Sequence, residues 1–149
     1  METTTERGNE IIDRLNELLR TELSAVETYR IALEKITDAK IRPAMEENRR
    51  LHAQRCDLLK NRVLQLGGKP DHTSGAWGAF AKLIQAGAKL FGAKAAVAAL
   101  EEGEDKGLRA YREAVTKLDV ENAQFVETQL LAGQEQTHRA MSTIKHTLH

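Results

Sequence analysis

Apolar residues recur along this chain at steps of three and four, the spacing of a helix with one buried face. In the first such stretch they fall at Ile12, Leu15, Leu19, Val26, Tyr29, Leu33 and Ile36. This predicts a helix from about Thr5 to Thr37, with Glu22 filling the one gap in its stripe. After the connector TDAKIR, Pro43 is well placed in a first helical turn. The next stripe is Met45, Asn48, His52, Cys56, Leu59, Val63 and Leu66, and it stops at Gly67-Gly68 with Pro70 just beyond. A third stripe starts near Ala93 and runs through Val97, Leu100, Glu104, Leu108, Tyr111, Val115 and Leu118. A fourth starts near Asp119 and carries Val126, Leu130, Thr137, Met141, Ile144 and Leu148.

Short connectors make helices 1 and 2 antiparallel, and likewise 3 and 4. The linker between the two pairs, about residues 67 to 92, is much longer. A bundle of helices this long measures roughly 39 Å end to end, and that linker can travel its length. Helices 2 and 3 are therefore expected to run parallel. The expected fold is all-α: a ferritin-like four-helix bundle, one domain over 1–149, with one long crossover containing a short helix. The chain also repeats itself. ELSAVETYRIALEKI (22–36) aligns with EDKGLRAYREAVTKL (104–118), which pairs Glu22 with Glu104 and Tyr29 with Tyr111. Two helical hairpins related by duplication account for this.

Composition narrows the function. The 22 basic and 22 acidic residues cancel, which gives no reason to expect nucleic acid or an anionic membrane as partner. No run is apolar for long enough to span a bilayer. The polar opening METTTERGNE lacks a signal region, and the single Cys56 excludes an internal disulfide framework. Both point to the cytoplasm. Cys56 itself reads as a small core residue. Long flat bundle faces are compatible with a homodimer.

The candidate chemistry lies mid-helix. Glu135 and His138, in EQTH, are spaced as half of a di-iron carboxylate motif. With Leu130, Thr137 and Met141 centring the core face, Glu135 points roughly 150° away and His138 roughly 90°. If the duplication sets the phase, His138 improves to roughly 40° and Glu135 stays outside. Glu135 is thus expected to face solvent, with His138 at the boundary and Gln134 one turn before it. Glu22, His52, Glu104 and the Gln134/His138 pair each sit near the middle of a different helix, and in this topology they share one layer. A buried carboxylate is costly unless paired or metal-bound.

Two readings follow. In one, Glu22, His52, Glu104 and His138 hold Fe or Mn, which suit carboxylate and imidazole donors. Arg49 stands three residues before His52, where the two-ion pattern requires Glu, so the donors suffice for one ion. In the other, preferred here, the layer is free of metal. Arg49, or Arg55 further along, pairs with Glu22 or Glu104, and His52, Tyr29, Tyr111 and Gln134 complete the hydrogen bonds. The crossover stretch AWGAFAKLIQAGAKLF is amphipathic, with Trp77, Phe80, Ile84 and Phe91 on one side. It is expected to pack on its own bundle, with docking on a partner as the alternative.

Three stretches carry a family resemblance: LGGKP (66–70), TSGAWGA (73–79) and EEGEDKGLRAYREA (101–114), with a helix-4 histidine, here His138. The chain resembles an uncharacterised bacterial ferritin-like family, a domain of unknown function, over about Ile11 to Leu148. The resemblance implies a ferritin-like bundle. It brings no established activity, and an arginine at the position of Arg49 is normal in it. The expected role is structural, regulatory or stress-linked, with an Fe- or Mn-dependent ferroxidase or small oxidase as the enzyme alternative. There the carboxylates would hold the metal with one position open to O2.

Overall fold

The computed structural model describes residues 4–74 and 92–148. They form α1 (Thr4–Lys35), α2 (Arg42–Gln65), α3 (Ala93–Lys117), α4 (Val120–Val126) and α5 (Ala132–Thr147). A π-helical turn, Glu127–Leu131, joins α4 to α5 into one rod. There are thus four long helical rods, and no strand among the described residues. The short helix expected in the crossover, with Trp77, Phe80, Ile84 and Phe91, lies outside the described residues.

The ends of the helices follow their sequence signals. Pro43 stands in the first turn of α2. At the other end Gly67 adopts φ 82°, its N–H donates to Leu64 O at 3.0 Å, and Gly68 N–H donates to Val63 O at 2.9 Å. These are the two bonds of a Schellman cap, which needs a left-handed residue at Gly67. The cap leaves Leu66 exposed rather than in the stripe. Gly68 serves packing: a Cβ there would meet Ile12 Cγ2 at 2.7 Å. Beyond the cap, Asn16 of α1 clasps the chain, accepting from Asp71 N–H at 3.0 Å and donating to Lys69 O at 3.1 Å.

Side-chain contacts give the directions. Asn48 meets Tyr29, and Arg55 meets Glu22, so α2 runs against α1. Tyr29 bonds Glu104 and Tyr111 bonds Glu22, so α3 also runs against α1. Helices α2 and α3 therefore point the same way, as the long crossover requires. Those two tyrosine bonds are reciprocal: each half of the repeat bonds the carboxylate of the other.

Buried positions recur every seventh residue: Leu15, Glu22 and Tyr29 on α1, with Ile36 just past its end; Met45, His52 and Leu59 on α2; Val97, Glu104 and Tyr111 on α3, with Leu118 just past its end. This is knobs-into-holes spacing between long helices. Val26 and Leu33, expected in the stripe, are half-buried flanks of it. Two apolar clusters result, one around Ile36, Met45, Val97 and Met141, the other around Leu15, Leu59, Leu118 and Leu130. The polar members Glu22, His52 and Glu104 lie between them. In the fourth rod the π-turn holds Asn122, Val126, Leu130 and Gln134 on the core face although they are four apart. An unbroken α-helix would drift that row by about 40° per step.

Candidate functional site

His52 stands at the centre of the molecule. Its Nδ1 meets Glu22 Oε2 at 2.8 Å and its Nε2 meets Glu104 Oε2 at 2.7 Å. All three residues are at most 3% exposed. One ring thus spans two carboxylates from different helices. Burial by itself would discharge the ring, but the charges of Glu104 and Glu22 outweigh it and its pKa rises to about 9. His52 is therefore an imidazolium at neutral pH, with both nitrogens donating.

Arg55 is the second cation. Its Nε donates to Glu22 Oε2 at 3.3 Å. Its Nη2 donates to Gln134 Oε1 at 2.8 Å and Thr137 Oγ1 at 3.2 Å. Those acceptors use both hydrogens of Nη2, so its 2.8 Å approach to His52 Nδ1 is a contact between like-charged donors. The shared Glu22 oxygen offsets it.

The carboxylates are correspondingly saturated. Glu104 Oε2 accepts from His52 and Tyr29, and its Oε1 accepts from Gln134 Nε2 at 2.9 Å and Thr137 Oγ1 at 2.7 Å. Four donors fill a carboxylate's lone-pair directions. Glu22 accepts from Tyr111 at 3.0 Å on Oε1, besides His52 and Arg55 on Oε2. Asn48 Nδ2 donates to Tyr29 Oη and to Thr137 O, both at 3.0 Å. Among the described residues the one buried side-chain polar atom without a partner is Arg14 Nε, outside this layer. Burial pushes both carboxyl pKa values up, but His52 and Arg55 pull Glu22 below its ordinary value, and His52 with its hydrogen bonds does the same for Glu104. Two anions and two cations cancel. Burial drives the tyrosine hydroxyls well above their ordinary pKa, aided by the carboxylates they serve, so both remain donors.

The structure thus brings together Glu22, His52, Glu104, Gln134, Tyr29 and Tyr111. It leaves out Arg49, which is half-buried at the rim, where its charge acts on Glu27. A helical side chain leans toward the N-terminus of its own helix. Arg55, three residues past His52, leans back into the layer, whereas Arg49, three before it, leans away. Gly133 makes the room: a Cβ there would meet Arg55 Nη1 at 3.1 Å. His138 is left out as well. The core face of α5 is centred between Gln134 and Thr137, which puts His138 roughly 70° off centre. It instead touches Asp105 in an outer groove between α3 and α5. Glu135 lines the same groove, half-buried rather than fully exposed. Asn48 and Thr137 belong to the layer, and their signal was a polar residue within an apolar stripe. Cys56 is buried, its thiol pushed up to about 12 by desolvation, which disfavours the thiolate form.

A cavity of about 20 Å³ adjoins Glu22, His52 and Glu104, lined by small residues of α1 (Ser24, Ala25) and α3 (Gly103, Gly107). One water needs about 10–15 Å³. No helix among the described residues is long and apolar enough to cross a membrane.

No curated protein matches the chain. A family model does, over residues 10–117, which spans α1 to α3 and so includes Glu22, His52, Arg55 and Glu104. It stops short of Gln134 and His138. The chain belongs to the family described as a domain of unknown function (DUF2383).

Proposed function

We propose that this protein is a non-redox bundle of ferritin-like type, a structural or regulatory scaffold in which a proton and a guanidinium stand where related architectures place metal. The observation that carries this reading is the position of His52, an imidazolium bridging Glu22 and Glu104 at 2.8 and 2.7 Å. The residues do not fit a two-ion carboxylate centre. That centre needs Glu-x-x-His on two helices; here Arg49 precedes His52 and Glu135 faces the outer groove. Arg55 adds a fixed charge that a dication would have to approach at a buried site. A cytoplasmic setting is part of this proposal.

The test is metal content by elemental mass spectrometry, after expression with iron and manganese supplied and purification without chelator or histidine tag. The expected result is no Fe or Mn that depends on Glu22 or Glu104, and Fe(II) oxidation no faster than the protein-free blank. Near-stoichiometric metal that disappears in Glu104→Ala but persists in His138→Ala would overturn the proposal. The competing reading is a one-metal ferroxidase or small oxidase, in which a single Fe or Mn would displace the proton of His52 to solvent and be held by Glu22, His52 and Glu104. The cavity beside the three donors favours it, because a solvent ligand would fit there.

A further inference from the structure

Glu101 and Asp105 stand one turn apart on α3, and His138 faces them from α5. Each offers one ligand atom, and the three atoms lie within 4.8 Å of one another. His138 Nε2 contacts Asp105 Oδ1 directly. The side chains are 15%, 43% and 23% exposed respectively, so solvent reaches the cluster while two packed helices hold it. None of the three takes part in the core layer.

We propose that Glu101, Asp105 and His138 form a binding site for one first-row divalent transition ion, with its remaining position open to water. An imidazole and two carboxylates are the mixed N,O donors such ions take. Bonds of roughly 2.0–2.2 Å place tetrahedral donors roughly 3.3 Å apart. The Asp105–His138 contact opens and Glu101 closes to reach that spacing, and rotamer changes on fixed backbones supply both movements. The i, i+4 spacing of Glu101 and Asp105 sets two donors on one face of α3, and His138 completes the triangle from across the groove.

The groups around the cluster decide how an ion enters. Lys145 Nζ donates to Glu101 Oε2 at 2.8 Å and is itself 48% exposed. It is the resident counter-ion, free to swing into water when a metal takes its place. Arg109, Arg112, Arg139 and Glu135 line the groove that also takes in Asp105 and His138. The site does not depend on the core reading: it uses different residues and a different face of α3.

The experiment is Co2+ titration of the full chain followed by visible absorption, with Zn2+ competition. The exposed histidines His72 and His146, and His149 at the end of the sequence, are first replaced by Ala. One equivalent is expected to bind, with a d–d spectrum. His138→Ala and Asp105→Asn each weaken binding at least about tenfold, as loss of one of three ligands requires. Lys145→Ala tightens it, because the competing cation is gone, an effect a plain surface ion-pair cluster would not show. Binding that survives His138→Ala, or no Co2+ bound at about 1 mM, overturns the proposal.

Discussion

At the scale of single residues, the buried layer gives neighbouring arginines opposite fates. Arg55→Ala leaves the two buried carboxylates with His52 as their one cation in the layer and is expected to destabilise the protein by about 3–5 kcal/mol. Arg49→Ala, a rim change, is expected to stay within about 0.5 kcal/mol. Urea unfolding of the two variants checks this, and equal costs would refute the assignment. His52 adds a pH dependence. Its pKa rises from 6.5 to about 9 on folding, so its contribution, roughly 3 kcal/mol, is complete below pH 6.5 and lost as pH rises toward 9. Glu22 and Glu104 have lowered values, so theirs is present above pH 4.5 and lost on acidification. Stability should therefore peak between about pH 4.5 and 6.5. Urea midpoints at pH 5.5, 7.5 and 9.5 test this, and His52→Gln should flatten the alkaline fall.

At the scale of elements, the close approach of α3 and α5 depends on Gly107. A Cβ there would sit 2.6 Å from Gln134 Nε2, the amide that donates to Glu104 and whose oxygen serves Arg55. Gly107→Ala is expected to displace Gln134 and cost about 1–3 kcal/mol, although alanine favours helix over glycine. Thermal unfolding would show the sign, and a stabilised variant would mean that Gln134 adjusts freely. The π-turn at Glu127–Leu131 matters here too, since it sets the phase that brings Gln134 and Thr137 inward and leaves His138 outside.

At the scale of the whole molecule, four buried charges lie between two apolar clusters, one toward each end of the bundle. Taking these charges out of water offsets much of what their pairing gains. Replacing Glu22, His52, Arg55 and Glu104 together by well-packed apolar residues is expected to be neutral or stabilising by about 1–4 kcal/mol, in contrast to the single Arg55 change. Calorimetry on the quadruple variant decides it. A loss comparable to Arg55→Ala would show that the network is a net source of stability.

Much was determined by the sequence alone. Apolar periodicity, Pro43 and the Gly67-Gly68 stop place the helices to within a residue or two, because local geometry and the burial stripe are written in neighbouring positions. The long linker implied that α2 and α3 run the same way, and polar residues in apolar stripes marked Glu22, His52, Glu104 and Gln134. Tertiary structure decided which cation enters the layer. Arg49 and Arg55 lie equally far in sequence from His52, and only the N-terminal lean of helical side chains and the gap at Gly133 separate them. It also decided the phase of α5, because a π-turn is a packing response that the residue pattern does not announce. The same packing moved His138 from the core to Asp105 and Glu101, a partnership between distant residues that depends on how two helices face each other.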